Sequence, residues 1–140
     1  DIITGTGALL PWVDELRYLG IFIIKSRKFR CSLEHAKKSC YRVINAIFGK
    51  IGRVASEEVI LELVSKKCIP ILLYGLEVIP LTNSDKKSLD FVINRFFMKL
   101  FKTGNIETVQ QCQLHFGFEL PSTQLERRAA NFLLKCGDGV

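Results

Sequence analysis

The side chains able to do chemistry in this chain are few and scattered. Five cysteines stand at positions 31, 40, 68, 112 and 136. Their number is odd and no Cys-x-x-Cys pair occurs, whereas disulfide frameworks and zinc sites need closer, paired ligands. Cys112 and His115 make a lone Cys-x-x-His without companions. The five thiols therefore read as reduced and mostly buried, as in an intracellular protein. Acyl transfer needs a nucleophile beside a base, yet His35 and His115, the two histidines, both fall in helical sequence, and a Cys–His pairing would have to come from the tertiary fold. Two-metal nucleotidyl transfer needs carboxylates that converge on magnesium. Here the acids are spread along the chain, and Asp14-Glu15 is only an adjacent pair at a turn. Thr4-Gly5-Thr6-Gly7 is a glycine-rich turn, but it lacks the Lys-Ser/Thr and the following helix of a phosphate loop. No catalytic residue, metal ligand or cofactor is assigned within these 140 residues.

Charge is the chemistry that remains. Of the net +6, a local excess of +9 lies between Arg17 and Arg53, where Glu34 is the one acid among ten basic residues. The rest of the chain carries −3. A block of one sign attracts a polyanion, whereas dispersed charge mainly aids solubility. Nucleic acid is the favoured partner, with a solvated basic face and an acidic membrane surface as rivals.

The elements that must position this block are mainly helical. The first thirty residues read as strand and turn, with "LRYLGIFI" (16–23) as a β-branched and aromatic strand and Trp12 packed at the base of a hairpin. From Ser32 the apolar period becomes helical. Leu33, Ala36, Cys40, Val43, Ile44, Ile47 and Phe48 form one stripe, with Ser32 as N-cap and Gly49 as stop. Lys38, Arg42 and Asn45 share another face of that helix, suited to following a phosphate backbone. Ser56 caps a second helix with Val59, Ile60, Leu63 and Val64 as its buried face and Glu57 and Glu58 in its first turn. Thr82 or Asn83 caps the clearest helix, whose stripe runs from Leu89 to Phe101 and which Gly104 ends. Arg95, Lys99 and Lys102 lie on a different face of it. Two shorter helices are expected near 106–115 and 122–136, the last capped by Ser122 and burying Leu125, Ala129, Phe132, Leu133 and Cys136.

Residues 68–81, "CIPILLYGLEVIPL", hold one ionisable group, Glu77. The run is shorter than the roughly 18–20 apolar residues of a bilayer span, so it reads as buried core. Pro70 is expected to kink or end a helix there, and Gly75 to let another backbone approach. Glu77 either meets water or pairs with a buried arginine, Arg95 or Arg127, because an unpaired buried carboxylate is costly. The fold class that follows is mainly α: a short N-terminal β-hairpin and a bundle of about four to five helices. The segments are 1–30, 31–103 and 104–140. A chain that opens at Asp1 with one methionine, Met98, reads as a piece of a longer protein.

"RYLGIFI" (17–23), "IPILLYGLEVIPL" (69–81), "RFFMKLFKT" (95–103) and "RRAANFLLK" (127–135) occur in that order. The set resembles the region after the catalytic palm in LINE-type reverse transcriptases, those of retrotransposons without long terminal repeats, most of all the jockey-like branch. The resemblance implies that Tyr18, Leu19 and Gly20 belong to a palm hairpin that supports the primer end. It implies a thumb-like bundle after Ser32, then connection helices. Pro70, Tyr74, Gly75 and Glu77 match a structural motif. The parent would be a magnesium-dependent RNA-directed DNA polymerase working in nucleus and cytoplasm. The Tyr-x-Asp-Asp motif is missing from this chain, so the fragment itself is noncatalytic. Its partners would be RNA, an RNA–DNA duplex and the rest of the polymerase. Arg27, Lys28, Lys37, Lys38, Arg42, Lys50 and Arg53 are the residues expected to grip phosphates, while Tyr41 and Phe91 are expected to pack. The alternatives are a stand-alone helical protein-interaction module derived from a retroelement and, more weakly, a peripheral membrane binder.

Overall fold

The computed structural model describes residues 2–138 and divides into two compact units between Ser32 and Leu33. The first unit holds strands β1 (Glu15–Tyr18) and β2 (Ile21–Ile24), paired antiparallel with Tyr18 opposite Ile21 and Glu15 opposite Ile24. The expected single strand over 16–23 is thus cut at its centre by a two-residue turn. Leu19 and Gly20 both take positive φ, 49° and 81°, as the favoured hairpin turn demands. Leucine is a poor residue for that region, since its Cβ crowds the following carbonyl. Upstream, the Thr4–Gly7 turn closes with the Gly7 N–H donating to the Thr4 carbonyl, 2.9 Å, and Ile3 bridges Leu9. Trp12 does not pack at the hairpin base; it is 80% exposed.

The second unit is helical: α1 (Glu34–Ile51), α2 (Glu57–Lys67), α3 (Ile69–Leu73), α4 (Asn83–Leu100), α5 (Ile106–His115) and α6 (Pro121–Asp138), with a 3-10 turn at Leu76–Val78. Taken as one helix interrupted before Pro70, α2 and α3 bring the number to five. The protein is therefore mainly helical after an N-terminal antiparallel hairpin, as the apolar periods predict.

The run 68–81 lies at the centre of the helical unit. Cys68, Ile69, Leu72, Leu73, Leu76 and Ile79 are all buried. The α3 segment packs on α1, α2 and α6, and the 3-10 turn packs on α6. Pro70 is the second residue of α3, where a missing N–H costs nothing. Gly75 is required for its φ of +71°, which turns the chain from α3 into the 3-10 turn.

Several helix ends differ from expectation. The residue before α1 is Leu33, which makes no side-chain cap bond, and the N–H of Ser32 donates to the Phe22 carbonyl, 2.7 Å. Gly49 does not stop α1, because half-buried Ile51 continues the apolar stripe and the helix runs to the Gly52 turn. Ser56 does cap α2, its Oγ accepting from the Val59 N–H. The buried stripe there is Ile60, Leu61 and Val64, with Val59 exposed. Thr82 caps α4 in a reciprocal box with Asp85, both bonds 3.1 Å. That helix ends at Leu100, and Lys102 rather than Gly104 takes the left-handed conformation, φ 52°.

Helix α4 is the hub. Leu89, Val92, Ile93, Phe96 and Phe97 are buried, and ring contacts run from Phe48 through Phe96 and Phe97 to Phe118, with centroids 5.1–5.7 Å apart. Polar ties fix three neighbours to it. The Lys37 ammonium donates to Ser88 Oγ at 2.7 Å, Gln113 Nε2 donates to Asn94 Oδ1 at 2.9 Å, and Ser122 bonds Asp90. Ser122 is thus no N-cap. It lies within the first turn of α6, where its N–H and Oγ both donate to the Asp90 carboxylate, 2.9 and 2.6 Å. Only the start of α6 is then covered: Leu125 is buried, Ala129 half-buried, and Phe132, Leu133 and Cys136 are exposed, because residues 131–137 run past the core.

Candidate nucleic-acid interface

Helix α1 is built for two environments. Cys40 and Ile44 face the core, while Lys38, Arg42 and Asn45, one turn apart on the other side, face water. Lys50 and Arg53 are exposed at the end of α1 and in the turn after it. Helix α4 lies beside α1 and runs in the same sense. Lys37 near the start of α1 meets Ser88 near the start of α4, and Lys99 near the end of α4 donates to Asn45 Oδ1 at 3.2 Å.

This pairing joins two faces that sequence reasoning treats separately. Tyr41, Ile44 and Asn45 of α1 and Arg95, Phe96 and Lys99 of α4 line a shallow groove of about 310 Å³. The Lys99 ammonium sits 4.8 Å from the Phe48 ring centroid, and the Arg95 guanidinium 5.8 Å from that of Phe91, distances at which cation and ring attract. Phe91 is not a packing residue, being 56% exposed. Among the described residues none of Lys38, Arg42, Lys50, Arg53, Arg95 and Lys99 is held in an ion pair. Arg95 and Lys99 are the residues that sequence reasoning leaves out of the interface. Their signal was the absence of acid on the face of α4 that carries Lys87, Phe91, Arg95 and Lys99.

Not every expected contact belongs here. Lys37 is withdrawn: only 19% of its side chain is exposed, and it bridges Ser88 and Glu34, 2.7 Å each. Its hydrogen bond and charge hold the Glu34 carboxyl below the usual carboxylate range. Arg27 and Lys28 are exposed in the loop after β2, in the other compact unit. Tyr18, Leu19 and Gly20 form the exposed end of the hairpin. Tyr74 is exposed at the C-terminus of α3. Glu77 is half-buried beside Lys86 and Glu126 in a small depression of about 130 Å³. Neither expected arginine reaches it: Arg95 lies over Phe91, and Arg127 holds Glu119 through two bonds of 2.8 and 2.6 Å.

A cleft of about 640 Å³ between α2 and the α5–α6 connection contains His115, Glu58, Glu62 and Glu119. Lys66 closes on Glu62 at 2.6 Å and depresses its pKa, as Arg127 closes on Glu119. Among the described residues no three His, Cys, Asp or Glu side chains are grouped to hold a metal ion, so Cys112 and His115 remain without companion ligands. Cys40 and Cys68 are fully buried, and the hydrogen bond that the Cys40 S–H donates to Cys68, then burial, pushes the Cys40 thiol up. No helix among the described residues is long and apolar enough to cross a membrane. Comparisons with protein-family models, with curated proteins and with solved structures find no match to this chain.

Proposed function

We propose that this chain is a noncatalytic nucleic-acid-binding module, the thumb region of a LINE-type reverse transcriptase, which grips the template–primer duplex by its phosphates. The observation that carries the reading is the exposed cationic face of α1, where Lys38 and Arg42 stand one turn apart and Lys50 and Arg53 follow at the helix end. Cations on a rigid helical frame contact backbone without reading sequence. The ordered motifs at 17–23, 69–81, 95–103 and 127–135 supply the family part of the proposal. Magnesium would belong to the parent polymerase.

The test is an anisotropy titration of an RNA–DNA duplex at several salt concentrations. Each lost phosphate contact lowers the salt slope by about 0.9 on duplex DNA, so Lys38→Ala with Arg42→Ala should lower it by about 1.8. Unchanged affinity and slope would remove this face from the interface. A second reading, a helical protein-interaction module, is favoured by the exposed Phe132, Leu133 and Leu134 on the outer half of α6. It predicts self-association that does not respond to salt.

A further inference from the structure

We infer that the groove between α1 and α4 seats a single-stranded segment of nucleic acid, with one base against Tyr41 and its phosphates on Arg95 and Lys99. This rests on the nucleic-acid reading above and narrows it. The outer cations Lys38 and Arg42 stand on an exposed helix face, where the convex side of a duplex can reach them. The groove is different. Its volume of about 310 Å³ lies at the low end for a small-molecule site, roughly 300–1,000 Å³, and suits one nucleoside rather than a duplex.

The lining matches an unpaired nucleotide in kind. Half-buried Tyr41 offers a ring, Asn45 an amide, and Arg95 and Lys99 two cations one helical turn apart. Single strands are bound by this combination of cationic track and aromatic platform, and stacking on a side chain is tolerant of base identity. The surface continues beyond the groove. Lys87, Phe91, Arg95 and Lys99 are all exposed on α4 and span about 18 Å of helix at 1.5 Å per residue, with exposed Lys102 in the turn that follows. Phe91, with the Arg95 guanidinium over its ring, is a second platform one turn from the first cation. The stretch from Phe91 to Lys102, the second half of α4 and the turn after it, carries no acid, so a strand following it meets no repulsion from its own residues.

The experiment compares a fluorescent 12-nucleotide single strand with an RNA–DNA duplex of the same sequence, on the full 140-residue chain. Arg95→Gln with Lys99→Gln should weaken the single strand tenfold or more and the duplex by less than threefold. Tyr41→Leu should weaken the single strand alone, by 5- to 100-fold for one lost stack of about 1–3 kcal/mol, and Tyr41→Phe should retain affinity. Lys38→Ala with Arg42→Ala should show the reverse preference. Thermal melts of each variant establish that it folds, and the exposed pair at 95 and 99 keeps the test open if Tyr41→Leu does not. Equal losses for both ligands, or a single strand indifferent to 95 and 99, overturn the groove assignment and leave the duplex grip standing. Absence of binding to either ligand by the unaltered chain overturns both.

Discussion

Replacing Asp90 should unseat α6 without touching the core. Its carboxylate accepts the N–H of Ser122 at 2.9 Å and the Ser122 hydroxyl at 2.6 Å, in the first turn of α6. It thereby satisfies a free N–H of that helix from a neighbouring one and sets a negative charge at the positive end of the dipole. Loss of a helix cap costs about 0.5–2 kcal/mol, and a hydrogen bond to a charged group contributes about 1.5–3 kcal/mol. Because Asp90 is half-buried, water recovers part of this, and Asp90→Ala should cost about 2 kcal/mol. At about 4–8 °C per kcal/mol for a domain of this size, Tm should fall by about 8–16 °C. Ser122→Ala keeps the backbone donor and should cost about 1 kcal/mol by losing the hydroxyl bond alone. Urea and thermal melts of the two single variants and the double variant give the coupling, expected near 1 kcal/mol. If the two losses add to within roughly 0.3–0.5 kcal/mol, or if Asp90→Ala melts with the unaltered chain, the cross-helix cap is not what holds α6.

Leu19 sits at φ 49° in the hairpin turn, so Leu19→Gly should relieve about 1 kcal/mol of crowding; increased hydrogen-exchange protection at Ile21 and Tyr18 is the expected readout, and decreased protection refutes it. Under native conditions an aromatic disulfide reagent should modify exposed Cys136 first and Cys112 later. Cys40 and Cys68, fully buried and with the Cys40 thiol held protonated, should react only on unfolding; labelling followed by peptide mass analysis gives the order, and early modification of Cys40 contradicts it.

How much of this was legible beforehand follows from which forces are local. The apolar stripes of α1 and α4, the caps at Ser56 and Thr82 and the break at Pro70 depend on spacings within one turn, and their residues announce them. The ends of α1 and α4 were misread because packing carries Ile51 past one glycine and Lys102 turns before another. Ser122 looks like an N-cap in sequence, and only its distance to Asp90, thirty-two residues away, shows that the carboxylate is the acceptor. The outer half of α6 has a buried-helix pattern and no partner among the described residues to bury it, which no local rule reveals.

The sequence by itself determined the helical class, the hairpin region, the burial of 68–81 and the concentration of positive charge before Arg53, since these rest on composition and on periods of two and 3.6 residues. The tertiary structure decided which cations stand together. It removed Lys37 by tying it to Ser88 and Glu34, placed Arg27 and Lys28 in another unit, and set Arg95 and Lys99 beside Tyr41 and Asn45. Residues fifty positions apart meet only when two helices pack, and the ridges that choose their register are spread over both.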